Sequence, residues 1–409
     1  IGTDGLDAPD PPTDVTPTGG DSQLSIAFTA PTDTGTSAIT GFVAQVSTNG
    51  TDYSAGSNTG TSSPIVVSSL SNGTSYTAKV WAINAYGTSA PSDASSAVEA
   101  AVPVGTRAIF GPAYVGANSN QVDTVLIPTT GNATDWGDFA ISQYGTMHLS
   151  NTNRIVSKQF HDGTGSENKV NIILYHSWAA SGGTWSDFGD TSSSGPSMSC
   201  FTLANDTRGL IGSGVPLNSS SLTQTVEYVT IGSTGNTQDF GDLDQERRNL
   251  TGYSSQTRGI CAGGRSSGGT YFPDISYFTI GSTGNSSDYG DLQNSVRELA
   301  SCSSSTRGLI AGGFTGSTPI NTIDYGEIAS TGNTSDFGDL SIKRMGCAGA
   351  SSKTRGLFAG GQTDGFGAVN SIDYLTIAST GNATDFGDLQ STKQSYEEGG
   401  ASNAHGGLA

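Results

Sequence analysis

A phrase that returns through most of the chain at almost constant spacing constrains the fold more than any other feature. Its clearest copy reads STGNATDFGDL at residues 379–389. The steps between copies are 52, 52, 49, 48 and 49 residues, measured at the first Asp of each: Asp135, Asp187, Asp239, Asp288, Asp336 and Asp385. A second phrase keeps the same period around an arginine: Arg107, Arg154, Arg208, Arg258, Arg307 and Arg355. Two markers in one period of about fifty residues indicate a repeated structural unit.

The composition places this unit among β-structures. The 409 residues include 58 glycines and only 13% charged residues. The chain is therefore poor in the Leu, Glu, Lys and Ala that build helices. Each period offers four short candidate strands, and a period near fifty with four strands is typical of a β-propeller blade. We predict an all-β fold class with six blades in the repeated region.

The pattern inside the repeat points to one kind of propeller. In the repeat that begins near Arg248, the candidate strands read NLTGYSS, TRGICAGG, DISYFTI and SDYGDL. This resembles a kelch repeat, in which a double glycine closes the second strand and the third strand carries an aromatic residue. The double glycine is intact in three repeats, split in one at Gly212 and Gly214, and missing from the first two; the intact pairs are Gly263 and Gly264, Gly312 and Gly313, and Gly360 and Gly361. The resemblance implies a kelch-like propeller over residues 105–409.

The two ends of this region predict how the propeller closes. The first repeat begins directly at its second strand, TRAIFG, residues 106–111. The last segment, EEGGASNAHGGLA, residues 397–409, aligns with a first strand that runs into a second. It can complete the first blade and leave no exposed sheet edge. Six blades are predicted, and seven stay open if the chain continues beyond Ala409.

The recurring phrase also has an expected structural role. Its STGN part is turn chemistry that joins the third strand to the fourth, and its Asp-aromatic-Gly-Asp part places a large ring between blades. Each blade offers one Arg and two Asp, so we expect an Arg–Asp pair within or between neighbouring blades. The predicted structural residues are Arg107, Arg208, Arg258, Arg307, Arg355, Asp242, Asp291, Asp339 and Asp388.

The first hundred residues do not share the repeat. Between residues 11 and 103, period-two runs separated by turns indicate an antiparallel sandwich. Leu70 precedes Tyr76 in the layout of a tyrosine corner, and the segment AINAYGTSAPS follows. These features resemble a fibronectin type III domain, with Phe28 where a Trp is usual. The resemblance implies such a domain at residues 11–103, acting as a spacer, with residues 1–10 as a linker from missing upstream sequence. There is no Arg-Gly-Asp, so integrin-type recognition does not carry over.

Charge and cysteine content exclude several partners. The chain has 17 Lys and Arg against 36 Asp and Glu, a net charge of −19, which repels nucleic acid and anionic lipid. No apolar run is long enough for a membrane helix, and the first residues are not a signal peptide. We therefore expect neither nucleic acid nor membrane insertion. The four cysteines favour small buried thiols over two disulfides, and the redox compartment stays open: Cys200, Cys261, Cys302 and Cys347.

The repeated Asp-Phe-Gly is not a kinase motif, because no catalytic loop or nucleotide-covering glycine loop accompanies it. Its paired Asp could bind calcium, but the spacing is not that of an EF-hand. No cofactor or metal is predicted, with calcium as the open alternative. The four histidines do not form the copper set of galactose oxidase, a kelch propeller, and no Ser-His-Asp set can be assembled. We therefore predict that the protein is not an enzyme and has no catalytic residues.

One repeat deviates from the others. Residues 152–190 hold the candidate ligand-binding residues His161, His176, Trp178 and Trp185. Aromatic rings exposed on a propeller face suit a carbohydrate, since a flat ring covers the apolar face of a sugar. The alternative is that this blade packs against the fibronectin-like module or another subunit.

The blade phrases TRGLFAGG and IDYLTIASTGNATDFGDL also resemble repeats in structural proteins of tailed bacteriophages, particularly marine and cyanobacterial ones. That resemblance implies a virion structural protein, a tail or capsid fibre or appendage, on the extracellular surface of the particle. The implied partners are other virion proteins and a host-surface glycan or protein, with a homo-oligomer formed through upstream sequence. Many copies would convert weak contacts into firm attachment. A purely structural connector and a secreted bacterial adhesin are the alternatives.

Overall fold

The computed structural model describes residues 6–20, 22–100, 107–112, 117–143, 145–161, 169–178, 185–217, 219–365, 367–393 and 399–408. The chain divides into two compact units, Ile1–Pro103 and Val104–Ala409. All regular secondary structure longer than a turn in the described residues is β-strand. The predicted all-β fold class is therefore confirmed.

The first unit is a β-sandwich. Its strands are β1 (Thr13–Gly20), β2 (Gln23–Thr29), β3 (Ile39–Ser47), β4 (Gly56–Gly60), β5 (Ile65–Ser68), β6 (Thr74–Asn84), β7 (Gly87–Thr88) and β8 (Val98–Ala100). One sheet has the order β1-β2-β5, and the other has the order β4-β3-β6-β7, with β8 also pairing with β6. Alternate residues of both sheets meet in one core, as the period-two pattern predicts: Leu24 and Ile26 come from β2, and Phe42 and Val80 from β3 and β6.

Local contacts in this unit follow the motifs seen in the sequence. The Tyr76 hydroxyl accepts a hydrogen bond from the Ser71 amide at 3.1 Å, next to buried Leu70. This is the contact that a tyrosine corner predicts. Phe28 packs against Phe42 with ring centroids 4.8 Å apart, so an aromatic anchor fills the position where Trp is usual.

The described residues of the second unit form 26 strands, numbered from 9 to 34. They are β9 (Arg107–Phe110), β10 (Ser119–Leu126), β11 (Thr134–Gln143), β12 (Thr146–Ser150), β13 (Arg154–Gln159), β14 (Ile172–Ser177), β15 (Ser186–Asp190), β16 (Pro196–Met198), β17 (Phe201–Ala204), β18 (Arg208–Gly212), β19 (Val215–Pro216), β20 (Thr225–Thr230) and β21 (Gln238–Asp242). The others are β22 (Thr251–Ser254), β23 (Arg258–Ala262), β24 (Asp274–Thr279), β25 (Ser287–Asp291), β26 (Ala300–Ser303), β27 (Arg307–Ala311), β28 (Thr322–Glu327), β29 (Ser335–Asp339), β30 (Ala348–Ser351), β31 (Arg355–Ala359), β32 (Val369–Thr376), β33 (Thr384–Lys393) and β34 (Gly400–Ser402).

These strands form six antiparallel sheets of four strands each, and β16 pairs with β19 outside them. In order of hydrogen bonding they are sheet 1 (β34-β9-β10-β11), sheet 2 (β12-β13-β14-β15), sheet 3 (β17-β18-β20-β21), sheet 4 (β22-β23-β24-β25), sheet 5 (β26-β27-β28-β29) and sheet 6 (β30-β31-β32-β33). The C-terminal β34 pairs with β9 as the alignment of the last segment predicts. Thr106, residues 397–398 and Ala409, which belong to the same prediction, lie outside the described residues.

The first strand of each sheet contacts the first strands of its two neighbours, and β34 contacts both β30 and β12. Serine hydroxyls donate to carbonyl oxygens across these contacts: Ser150 to Ser402, Ser402 to Ser351, Ser351 to Ser303, Ser303 to Ser254, and Ser254 to Ala204. The backbones approach so closely that a Cβ on Gly252 would lie 2.7 Å from the Thr202 carbonyl oxygen. This crowding explains why Gly, Ala, Ser and Cys fill these strands.

Candidate functional site

The recurring phrase forms a contact between consecutive sheets, which we call the latch. The turn before the fourth strand of one sheet docks on the fourth strand of the preceding sheet. Between sheets 5 and 6, the Gly381 amide donates to the Phe337 carbonyl at 2.8 Å, and the Ala383 amide donates to the Asp339 carbonyl at 2.8 Å. The Asn382 side chain accepts from the Asp339 amide at 3.1 Å. Both halves of the phrase are therefore needed, one on each side of a junction.

The latch recurs at five junctions, which we name by their two sheets. The turn glycine donates to the aromatic residue of the preceding sheet at distances of 2.7 to 2.8 Å: Gly235 to Phe188, Gly284 to Phe240, Gly332 to Tyr289, Gly381 to Phe337, and Gly131 to Phe386. The last of these joins sheet 6 to sheet 1. At junction 1–2 the corresponding turn, residues 179–184, lies outside the described residues.

The glycine of Asp-aromatic-Gly-Asp is required by the latch. Gly338 has φ +146°, and a Cβ there would lie 2.5 Å from the Gly381 carbonyl oxygen. Gly387 has the same φ and would meet the Gly131 carbonyl oxygen at 2.5 Å. Both the left-handed backbone and the close approach of the next turn exclude a side chain.

In the described residues, five of the six repeated arginines bond to backbone carbonyls rather than to the predicted Asp side chains. Each of these five arginines crosses to the next sheet: Arg154 to Ile231, Arg208 to Ile280, Arg258 to Ile328, Arg307 to Ile377, and Arg355 to Ile127, at 2.8 to 3.3 Å. These five guanidinium groups also lie over the third-strand tyrosine of their own sheet, 4.2 to 4.6 Å from the ring centroid. Arg107 lies 4.9 Å from the Trp136 ring. Arg307 also pairs with a carboxylate, that of Glu327.

The predicted aspartates serve the latch through their backbone. The amides of Asp242, Asp291, Asp339 and Asp388 each donate to the latch asparagine of the next sheet. The recurring phrase predicts a repeated structural role for these positions, but their partner is an asparagine side chain rather than an arginine. A planar Asn suits the site because its oxygen accepts one hydrogen bond in a fixed turn.

A second contact at several junctions was missed by the sequence reasoning. Asp373, on the third strand of sheet 6, accepts hydrogen bonds from the Ser341 amide and hydroxyl at 2.8 and 2.6 Å. Arg344 pairs with it at 2.9 Å, and both side chains are at most 1% exposed. Junction 6–1 repeats this with Asp123 and Lys393 at 3.2 Å, both fully buried. The sequence feature that could have predicted this contact is an acidic residue within an otherwise apolar third strand.

Junction 4–5 has the acid without the cation. Asp324 accepts from the Gln293 amide and side chain and from the Thr334 hydroxyl at 3.0 to 3.1 Å. Val296 occupies the position that is equivalent to Arg344. In both cases the backbone carbonyl accepts a hydrogen bond from the amide of the second residue of the double glycine in the sheet before it. Burial raises the pKa of Asp324, and the charge of Asp336 adds to the shift while the hydrogen bonds oppose it.

The four candidate ligand-binding side chains are buried rather than exposed. His161, His176, Trp178 and Trp185 are 1 to 6% exposed. Trp178 and Trp185 belong to a core cluster that joins sheets 1 and 2, and the Trp185 ring stacks on Phe139 with centroids 4.4 Å apart. The expectation of exposed rings is therefore wrong, because large rings here fill the boundary between two sheets.

A small cavity lies between the first strands of the six sheets. It has a volume of about 60 Å³ and is lined by residues of all six sheets and by His405. The His405 Nε2 donates to the Ser150 carbonyl at 2.9 Å, and its Nδ1 accepts from the Gly407 amide at 3.1 Å. Burial lowers the pKa of His405. Residues 403–408 thus pack beside the cavity as a largely buried segment.

The loops divide the second unit into a constant end and a variable end. The connections between third and fourth strands are 7 residues long in sheets 1, 3, 4, 5 and 6, while those between second and third strands range from 8 to 12. In an antiparallel meander these two kinds of connection lie at opposite ends of each sheet. We call the end with the second-to-third connections the variable-loop end.

The described residues also bear on the cysteines, on metal binding and on membrane-spanning helices. All four cysteines are buried thiols, as the interpretation of their small-residue surroundings predicts. Within the described ranges, no group of three His, Cys, Asp or Glu side chains is arranged to hold a metal ion. That part of the chain also contains no helix long and apolar enough to cross a membrane.

Comparison with known proteins identifies one region. Residues 10–98 match the fibronectin type III domain family. No curated protein matches the chain. The first unit therefore contains a fibronectin type III domain, a module of extracellular and adhesion type.

Proposed function

We propose that this chain is a non-enzymatic attachment protein of a virion, a tail or capsid fibre or appendage. In this proposal the second unit is a closed, six-bladed, kelch-like propeller that presents its variable-loop end to a host-cell surface. The protein acts outside the cell on the surface of the particle, without a cofactor. Its partners are other virion proteins and a host-surface glycan or protein.

The closure of the propeller is supported by the contacts between sheets 6 and 1. The Gly131 amide donates to Phe386 at 2.8 Å, as the other turn glycines do at their junctions. Arg355 donates to the Ile127 carbonyl at 2.9 Å, as Arg258 does to Ile328. A ring without an open edge does not pair with other chains through its strands.

One observation carries the binding role, namely the contrast between the two ends of the second unit. The latch residues recur sheet after sheet, whereas the second-to-third connections differ in length and sequence. A rigid scaffold with varied loops at one end is the usual arrangement of a recognition surface. The fibronectin type III domain supports a role outside the cell, and the likeness of the repeats to tailed-phage structural proteins supports a virion.

The proposal is tested by binding of the labelled full chain, displayed in many copies on beads, to intact bacterial cells of several strains. Multivalent display is needed because single contacts of this class are weak. Saturable binding that differs between strains is the expected result. Equal binding to all strains, or none, would contradict it and favour a purely structural connector. Repeating the assay with chelator tests the absence of a calcium requirement.

A further inference from the structure

Two arginines face each other at the variable-loop end of sheet 4. The Arg248 amide donates to the Arg265 carbonyl at 3.0 Å, and the Arg265 amide donates to the Arg248 carbonyl at 2.9 Å. Residues that exchange both bonds lie directly opposite in an antiparallel ladder, with side chains on the same face and Cβ atoms about 5 Å apart. The two arginine side chains therefore leave the backbone next to each other on the same face of the ribbon.

This arrangement is not required by the fold. Like charges directly opposite each other are destabilising, and the equivalent pairs of the next two sheets avoid them. Sheet 5 has Arg297 opposite Phe314, and sheet 6 has Met345 opposite Gln362. Arg248 and Arg265 therefore concentrate positive charge at one place. The backbone pairing does not need this charge, because the next two sheets form the same pairing without two arginines.

Aromatic side chains extend this charged surface toward sheet 5. Tyr271 pairs with Arg265 on the other side of the ribbon, and its hydroxyl accepts from the Arg297 Nε at 3.3 Å. The Tyr271 and Phe314 ring centroids are 6.3 Å apart, and the Arg297 guanidinium lies 5.0 Å from the Phe314 ring. All five side chains belong to half-buried residues. We call this set the Arg–Tyr patch.

Among the described residues, the ion pairs around the patch leave Arg265 without a counter-charge. The Arg297 side chain pairs with buried Glu298. Within the described residues, Arg265 has no carboxylate at ion-pair distance, and its buried Nε has no hydrogen-bond acceptor. An anion held between Arg248 and Arg265 would relieve their repulsion and accept the Nε hydrogen bond.

We infer that the Arg–Tyr patch binds an acidic saccharide, with its anionic group between Arg248 and Arg265 and a sugar ring against Tyr271. This inference rests on the proposed recognition role of the variable-loop end. It explains how a chain with a net charge of −19 binds an anion, because two adjacent guanidinium groups offer bidentate contacts that planar carboxylates, sulfates and phosphates match. An aromatic face beside them covers the apolar side of the sugar.

The test measures binding of the full chain to polygalacturonate, dextran sulfate and neutral dextran by biolayer interferometry. The two acidic polymers distinguish carboxylate from sulfate as the bound group. We expect binding to at least one of them and none to dextran. Arg265→Gln should weaken this binding by about tenfold or more, since a hydrogen bond to a charged group is lost, and Arg248→Gln/Arg265→Gln should abolish it. The control is Lys343→Gln/Lys353→Gln, which removes the same charge at exposed positions and should leave binding within about twofold.

A second readout separates binding from folding. Without any polymer, the double arginine variant should keep the far-UV circular dichroism spectrum and the cooperative unfolding of the parent chain, because sheets 5 and 6 form the same pairing without two arginines. Equal loss of binding in the lysine control, undiminished binding in the double arginine variant, or binding to neutral dextran would overturn the inference. Strain-specific cell binding that survives in the double arginine variant would overturn it while leaving the attachment role intact. If the parent chain itself binds no cells, the attachment role is contradicted.

Discussion

Junctions 5–6 and 4–5 share the same latch but differ in how they accommodate a buried acid. At junction 5–6, Arg344 reaches Asp373 at 2.9 Å. At junction 4–5, Val296 takes the place of the arginine and packs in an apolar cluster, so Asp324 depends on hydrogen bonds alone. The latch is thus the constant connection at these two junctions, while the partner of the acid varies. An ion pair is a replaceable part of this fold.

The largest expected effect on the free energy of unfolding comes from comparing Asp→Asn at the two buried acids, Asp373 and Asp324. Asp373→Asn should cost about 3–5 kcal/mol of unfolding free energy, because it leaves the fully buried Arg344 without its counter-charge. Asp324→Asn should change stability by no more than about 1 kcal/mol, since no buried cation is stranded and the hydrogen-bond acceptor is partly kept. Urea unfolding followed by tryptophan fluorescence measures both.

The matched control is the double variant Arg344→Met/Asp373→Asn. It should recover a substantial part of the loss, because the buried charge is gone. Equal costs for the two Asp→Asn variants, or no recovery in the double variant, would show that charge compensation does not distinguish the junctions.

A smaller effect is expected when the shared latch is broken. Gly338→Ala and Gly290→Ala should each cost about 2–3 kcal/mol, because both positions have a left-handed φ and a Cβ would lie 2.5 Å from the carbonyl oxygen of the next turn. The costs at the two junctions should agree, since the latch is the same in both. Gly365→Ala, at an open loop position with positive φ, is the control for backbone strain without collision, and it should cost less.

The arginine contacts allow an interior junction to be compared with the junction of sheets 6 and 1. Arg258→Gln and Arg355→Gln should each cost about 1–2 kcal/mol, through loss of a carbonyl hydrogen bond and a tyrosine contact. Thermal unfolding of both variants measures this. If Arg258→Gln lowers the free energy of unfolding as expected and Arg355→Gln does not, then sheets 6 and 1 are not joined like the other sheets.

The smallest effect is the pH dependence of Asp324. Its pKa is raised in the folded chain, mainly by burial. A group with a raised folded pKa contributes stability below its unfolded pKa and loses it as pH rises through the folded pKa. The stability of Asp324→Asn relative to the parent chain should therefore rise with pH above about 4, as measured by urea unfolding at a series of pH values. Parallel stability curves would contradict the raised pKa.

Much of this architecture was predictable because it depends on periodic patterns. The period of the phrase gave the number of sheets, and the small residues gave the crowded first strands. The pairing of β34 with β9 followed from the alignment of the last segment with the other repeats. These features are predictable because each depends on a pattern that occurs in several repeats of the same sequence.

The side-chain partners were not predictable in the same way. The repeated Arg and Asp suggested an ion pair, but Arg258 reaches a carbonyl of Ile328 and Asp291 uses its backbone amide. The aromatic cluster around Trp185 was expected at a surface but fills a junction. A composition pattern identifies which side chains are special, whereas burial and partners depend on which strand ends meet in space.

Hydrogen exchange at the latch amides tests the central claim, that the latch of junctions 2–3, 3–4, 4–5 and 5–6 also joins sheets 6 and 1. The Gly131 amide hydrogen bond spans sheets 6 and 1, and the Gly284 and Gly332 amides span interior junctions. Site-resolved exchange by NMR should show comparable slow exchange at all three. Exchange of the Gly131 amide at the rate of an exposed turn, with Gly284 and Gly332 protected, would contradict closure.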